Sequence, residues 1–178
     1  KNTKVLSDRM LLLDMLPKNS VCAEIGVASG TFSSKILKQV SPDKLHLIDA
    51  WNSSRYNEEL YNTVREKFSE HVRLNKIEIN RGWSSSVLTT FPDCYFDWVY
   101  IDSSHCYEGT LNELQLCRRK VKENGIIAGH DFVMGNWDSG YKYGVVEAVY
   151  EFCKQFGWEI IYLTMDYTEN QSFALRRL

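Results

Sequence analysis

Apolar residues recur along this chain in two rhythms. Short runs that close on polar residues read as strands: SVCAEIG from Ser20, KLHLIDAW from Lys44, KIEINRG from Lys76, FDWVYIDSS from Phe96 and IIAGHDF from Ile126, with WEIIYLTM and SFALRRL near the end. Between them, apolar positions recur at helical spacing. SDRMLLLDML reads as a helix capped by Ser7 and closed before Pro17, and SSKILKQV as one that ends before Pro42. Tyr56 to Asn75 carries Leu60, Val64, Phe68 and Val72 at four-residue steps, which predicts one amphipathic helix. A short helix around Ser85 to Thr90 stops before Pro92; TLNELQLCRRKVKENG is a helix with Gly125 as its stop, and YGVVEAVYEFCKQFG one closed by Gly157. Strand and helix alternate throughout. That alternation predicts an α/β fold with a parallel sheet and helices on both faces.

In such sheets ligands bind beyond the carboxyl ends of the strands, near the point where strand order reverses. The polar strand ends are therefore expected to converge: Glu24 to Gly30, Asp49, Asp102, and His130 with Asp131.

The 178 residues, with no repeat, low-complexity tract or Pro/Gly/Ser linker, are read as a single domain over 1–178. A net charge of −2 gives no electrostatic reason to expect nucleic acid or an anionic membrane. The expected partner is a small-molecule acceptor, with at most a second copy of the chain in a homodimer. Five cysteines, none closer than eleven residues to the next, fit neither a disulfide framework nor a zinc pattern, which suggests a reducing, cytoplasmic location. No apolar run approaches the roughly 18 residues of a membrane span.

The loop VCAEIGVASGTF falls short of a dinucleotide fingerprint, because Ala28 stands where the middle glycine belongs. A carboxylate at Glu24 would repel a diphosphate and attract an ammonium or sulfonium, with Gly26, Val27 and Gly30 bringing backbone close. Asp49, nineteen residues after Gly30, stands where an acid commonly accepts from ribose hydroxyls, although an aspartate there can equally cap a turn. In NRGWSSS, Trp83 suits an adenine face and Ser84 its edge; alternatively Ser84 caps the next helix and Trp83 is core.

YIDSSHCYEG is the densest polar cluster. Asp102 ends its strand, and His105 can serve as a base for an alcohol or phenol, or simply bond loop backbone. Asp102, His130 and Asp131 are suitable ligands for a divalent cation, and His130 and Asp131 can instead shape a pocket without one. The stretch from Val133 to Gly144 reads as a substrate-covering loop or an ordinary connection, with Trp137 and Tyr141 as its contacts.

With AEIGVASG, HLIDAW, DWVYIDSSHCYEG and GIIAGHDF in this order and spacing, the chain resembles class I S-adenosylmethionine-dependent methyltransferases. Within them it is most similar to the methyltransferase-24 group, related to sugar and catechol O-methyltransferases. The resemblance implies a Rossmann-like three-layer sandwich with a seven-stranded, mostly parallel sheet whose last strand is antiparallel. It implies that Glu24, Gly26 and Gly30, with Val27 between them, hold the methionine end of S-adenosylmethionine. It also gives Asp49 the ribose, Trp83 and Ser84 the adenine, and Asp102 a place beside the methyl donor. In the metal-dependent catechol-type enzymes an acid matching Asp102 and an Asp-Asn pair hold a cation such as magnesium. Here the pair is His130-Asp131, a departure that leaves Asp102 and Asp131 as the cation ligands. The implied activity is O-methylation of a small hydroxylated molecule or sugar, with Asp102, His105 and His130 as catalytic residues. A nicotinamide-dependent reductase and a non-catalytic cofactor-binding module are the competing readings.

Overall fold

The computed structural model describes residues 3–136 and 138–178; Trp137 lies outside the described residues. In chain order the elements are β1 (Lys4–Leu6), α1 (Arg9–Met15), β2 (Val21–Ile25), α2 (Thr31–Val40), β3 (Lys44–Asp49), α3 (Glu58–Lys67), α4 (Ser69–Arg73) and β4 (Ile77–Arg81). There follow α5 (Ser84–Thr90), β5 (Phe96–Ile101), α6 (Tyr107–Lys120), β6 (Val121–Gly129), β7 (Gly135–Asn136), β8 (Tyr141–Lys142), α7 (Val145–Phe156), β9 (Trp158–Thr164) and β10 (Phe173–Arg177).

Eight strands form one sheet in the order β1-β9-β10-β6-β5-β2-β3-β4, and β7 and β8 form a separate small hairpin. All neighbours in the large sheet pair in parallel except β10, which runs antiparallel to both β6 and β9. The seven expected strands are present, and β1 is an eighth, added on the outer edge of β9. Its three residues, KVL, are too short to show a period. Strand order reverses at β2, which has β3 on one side and β5 on the other.

Two apolar layers sandwich the sheet. Leu12 and Leu13 of α1, Ile36 of α2, Val64 and Phe68 bury one face against Leu45, Leu47, Trp98 and Tyr100. Leu88 of α5, Leu114 and Cys117 of α6, and Ala148, Val149 and Phe152 of α7 bury the other against Ile25, Ile48, Val99 and Ile127. Each Val, Leu, Ile or Phe side chain among them contributes about 1.5–3 kcal/mol when withdrawn from water.

Four local expectations are corrected. The cap of α1 is Asp8, whose side chain accepts from the Met10 and Leu11 amides at 2.9 and 2.8 Å, while Ser7 donates to Asp8. The helix expected over Tyr56 to Asn75 is broken in two at Phe68, whose φ of −107° leaves the helical region. Phe68 is buried, so its ring, not continuity of the helix, sets the path. The helix expected to stop at Gly125 ends at Lys120. Lys120 Nζ is held by the Phe91 carbonyl at 2.8 Å and Asp93 at 2.7 Å, and Val121 turns extended to pair with Phe96. Finally, part of the stretch from Val133 to Gly144 is the β7-β8 hairpin.

Candidate functional site

The polar strand ends are stitched together by backbone hydrogen bonds that continue the parallel ladders. Gly26 N donates to Ile48 O at 2.9 Å, Asp102 N to Ile25 O at 2.7 Å, His130 N to Ile101 O at 2.9 Å and Gly82 N to Asp49 O at 2.9 Å. The ends of β2, β3, β5 and β6 thus share one pole of the sheet, beside the reversal at β2.

At this pole the glycine loop is tightly determined. Gly26 has φ +89°, and a Cβ there would lie 2.0 Å from the Asp102 carbonyl oxygen. Only a bare Cα lets β2 and β5 approach so closely. Gly30 has φ +68° and faces the Phe68 ring. Asp49 clasps the loop: one carboxylate oxygen accepts from the amides of Val27 at 2.8 Å and Ala28 at 3.0 Å, the other from Trp51 at 2.9 Å. Trp51, buried, closes the clasp by donating its indole N–H to the Ala28 carbonyl at 2.9 Å. The first oxygen, Oδ2, is filled by its two amides, whereas Oδ1, which accepts from Trp51, retains a lone pair for a further donor.

Glu24 lies beneath the loop, only 1% exposed. Ser33 of α2 donates to its carboxyl. Burial pushes Glu24 up to about 8, the Ser33 bond and Arg9 opposing, Asp102 and Asp49 reinforcing. It is a strong acceptor for a cation that can repay its ionisation.

Asp131 is the hub of the remaining cluster. His105 Nε2 lies 2.9 Å from Asp131 Oδ2, Asn170 Nδ2 donates to Oδ1 at 2.6 Å, and His130 Nδ1 lies 3.4 Å from Oδ2. Burial opposes ionisation of Asp131, but the bonds from His105 and His130 outweigh it and hold the carboxyl well below the usual range. His105 is raised by that same bond, against burial. Asp102 is raised by burial, with Asp131 adding to the effect and His130 and Arg9 opposing it. His130 Nδ1 is 3.8 Å from Asp102 Oδ1. One ligand atom each from Asp102, His105 and Asp131 lies within 4.8 Å of the others, so two carboxylates and an imidazole could share a small cation. His105 joins Asp102 and Asp131 in that set, which the spacing of the sequence left out.

Trp83 is 63% exposed, which removes the core reading of it. Ser84 opens α5 but does not cap it; its hydroxyl donates to Glu113 at 2.6 Å. Glu113 is a residue that the sequence did not single out. It is buried on α6 and also accepts from Ser103 at 2.6 and 2.7 Å, so one carboxylate ties the Trp83-Ser84 turn to the Asp102-His105 loop. Arg9 was also missed. It forms an ion pair with Glu169, sits 3.8 Å from Asp102 and stacks on the Phe32 ring at 4.5 Å. A cavity of about 700 Å³ lies against β4 under α3 and α4 and contains none of the strand-end acids at this pole. Tyr141, expected as a substrate contact, is 55% exposed on the β7-β8 hairpin.

Residues 23–132, well over half of the chain, match the model of a methyltransferase-domain family, Methyltransf_24. The chain belongs to this family. The matched segment of this methyltransferase runs from β2 to just beyond β6 and so holds every strand end of the pole. Solved structures agree on the fold. A SAM-dependent methyltransferase from Aquifex aeolicus superposes with TM-score 0.69 at 18% identity, over 94% of this chain and 87% of that one. An O-methyltransferase from Bacillus cereus in complex with SAH gives 0.67 at 14% identity, over 93% and 76%. The O-methyltransferase TomG from Streptomyces achromogenes, in complex with SAM, gives 0.66 at 16% identity, over 93% and 75%. No curated protein sequence matches the chain. The methyltransferase thus has the class I, Rossmann-like three-layer fold, and nothing in these likenesses favours a nicotinamide enzyme. No helix among its described residues is long and apolar enough to cross a membrane.

Proposed function

We propose that this methyltransferase moves the methyl group of S-adenosylmethionine onto a hydroxyl oxygen of a small hydroxylated acceptor. The reading rests on one observation above all: the His105-Asp131 pair and Asp102 stand at the same strand ends as the glycine loop, with Asp102 packed against Gly26. The donor set fits a cationic cofactor. Glu24 is a buried carboxyl beneath the loop, and Asp49 Oδ1 keeps a lone pair for a ribose hydroxyl.

The cofactor supplies a methyl already activated on a sulfonium sulfur, so positioning provides much of the catalysis. What the chain must add is a nucleophilic oxygen. With its Nε2–H given to Asp131, His105 keeps Nδ1 as the basic atom. An acceptor hydroxyl held beside the bound cofactor would give its proton to His105 Nδ1 as its oxygen takes the methyl group from the sulfonium sulfur, which would be left as a thioether. Asp131 stabilises the imidazolium that results. The net charge of −2 supports a small-molecule acceptor over a nucleic acid.

The 4.8 Å grouping of Asp102, His105 and Asp131 supports a second reading, in which the three hold a divalent cation such as magnesium that lowers the hydroxyl pKa. Calorimetry with S-adenosylmethionine and S-adenosylhomocysteine tests the shared premise, and no binding of either at millimolar concentration would sink both readings. Formation of S-adenosylhomocysteine with a panel of hydroxylated acceptors tests transfer. Loss of turnover in EDTA, restored by magnesium, selects the cation; turnover indifferent to EDTA but lowered by about 100-fold or more in His105→Ala selects the base.

A further inference from the structure

The second cavity, of about 550 Å³, opens over the catalytic pole itself. Its walls are Arg9, Asp102, His130, Asp131, Tyr167 and Glu169, joined by the rest of the turn from β9 to β10. Two of its features have no role in the transfer chemistry. One is the Arg9-Glu169 pair, in which a guanidinium carried by the first residue of α1 meets a carboxylate from that turn. The other is Tyr167, 97% exposed at the rim. Both lie outside residues 23–132, the part of the chain that carries the family's shared features.

Charge decides what this cavity accepts. Arg9 is neutralised from two sides, by Glu169 and by Asp102 at 3.8 Å, and Asp131 adds a further carboxylate. A ligand carboxylate would therefore meet a guanidinium whose charge is already offset, among three carboxylates in partly buried surroundings. A neutral hydroxylated ring meets the opposite situation. Its O–H groups can donate to Glu169, its oxygens can accept from Arg9, and its C–H face can lie against the Tyr167 ring. His130 adds an independent sign of a ligand here: its Nε2 is buried and has no hydrogen-bond partner among the described residues.

We propose that Arg9, Glu169 and Tyr167 form the acceptor subsite, and that it selects a neutral polyhydroxylated ring and rejects the same ring bearing a carboxylate. This inference rests on the O-methyltransferase reading for the identity of the site and deepens it to the charge class of the acceptor.

The test uses the full chain saturated with S-adenosylhomocysteine and a matched pair of probes, methyl β-glucopyranoside and its uronic acid counterpart, read by saturation-transfer NMR titration. The neutral ring is expected to bind and the charged one to bind at least about tenfold more weakly. Glu169→Ala releases Arg9, so it should weaken the neutral probe about tenfold and strengthen the carboxylated one by a similar factor. Tyr167→Ala should weaken both probes and leave their ratio unchanged. Both side chains are at least partly exposed, and thermal melts of the variants establish that they fold. Equal binding of the two probes, no binding of the neutral one, or a ratio indifferent to Glu169→Ala each overturns the subsite. If S-adenosylhomocysteine itself fails to bind, the methyltransferase reading falls first. If it binds while the probe ratio ignores Glu169, only the subsite falls.

Discussion

Glu24→Gln is the substitution that separates what the buried carboxyl does for folding from what it does for the cofactor. In the folded chain burial places Glu24 near 8, against 4.5 for an ordinary glutamate. The folded state thus holds a proton that the unfolded chain releases, and stability linked to it is present below pH 4.5 and lost as pH rises through about 8. At 1.36 kcal/mol per tenfold, the loss reaches roughly 3 kcal/mol by pH 7 and nearly 5 kcal/mol above pH 8. Glutamine keeps the shape and an acceptor for Ser33 but cannot ionise. In guanidinium unfolding at pH 4.5, 7 and 8.5, the variant should gain on the wild type by about those amounts as pH increases. The same variant should bind S-adenosylhomocysteine more weakly, because a neutral amide cannot pair with the ligand ammonium. For the wild type at pH 7, calorimetry in two buffers of different ionisation enthalpy should reveal up to about one proton released per ligand bound. Parallel unfolding curves for the two proteins across this pH range would refute the argument, since they would mean that Glu24 is ionised in the free protein.

Two further outcomes follow from the packing of the pole. Gly26→Ala places a methyl 2.0 Å from the Asp102 carbonyl at φ +89°, so it should cost at least about 3 kcal/mol in unfolding experiments and abolish cofactor binding by calorimetry. Glu113→Ala removes the acceptor shared by Ser84 and Ser103; it should cost about 3 kcal/mol and speed amide exchange over 102–105, while exchange in β9 and β10 stays unchanged.

What the sequence conveyed and what it concealed divide along physical lines. The strand ends were legible because a fully buried parallel strand is a run of apolar residues, and an acid such as Asp49 or Asp102 marks its close, whether it clasps backbone, as Asp49 does, or faces a ligand. The loop was legible because Glu24 and the missing middle glycine disagree with a diphosphate. The break at Phe68 was not, since the residue keeps the apolar period and departs only in φ. Lys120 ends its helix through contacts to Phe91 and Asp93, twenty-nine and twenty-seven residues away in the chain, which no helix-stop rule can see. Glu113 falls on a helix that carries ordinary charged residues, and only the meeting of α5 with α6 reveals that its carboxylate is buried. Trp51 looked like the tail of an apolar run, whereas it is the closing half of the clasp around Asp49.

The same division separates the two halves of the site. The proposed cofactor side is made at neighbouring strand ends, with Glu24 just before Ile25 and Asp49 and Asp102 just after its partners Ile48 and Ile101, so a linear pattern suffices to describe it. The acceptor side is made where the start of α1 meets the turn from β9 to β10, 160 residues apart at Arg9 and Glu169. Such a contact has no period and no local signature. It also lies where chains of this fold can change without disturbing the sheet, because neither residue belongs to a strand. The physical consequence is that much of donor binding and acceptor choice is separately adjustable here: substitutions at Tyr167 and Glu169 should move acceptor preference and those at Glu24, Gly26 and Asp49 affinity for the cofactor, while Arg9, which acts on Glu24 and Asp102 as well as Glu169, should move both.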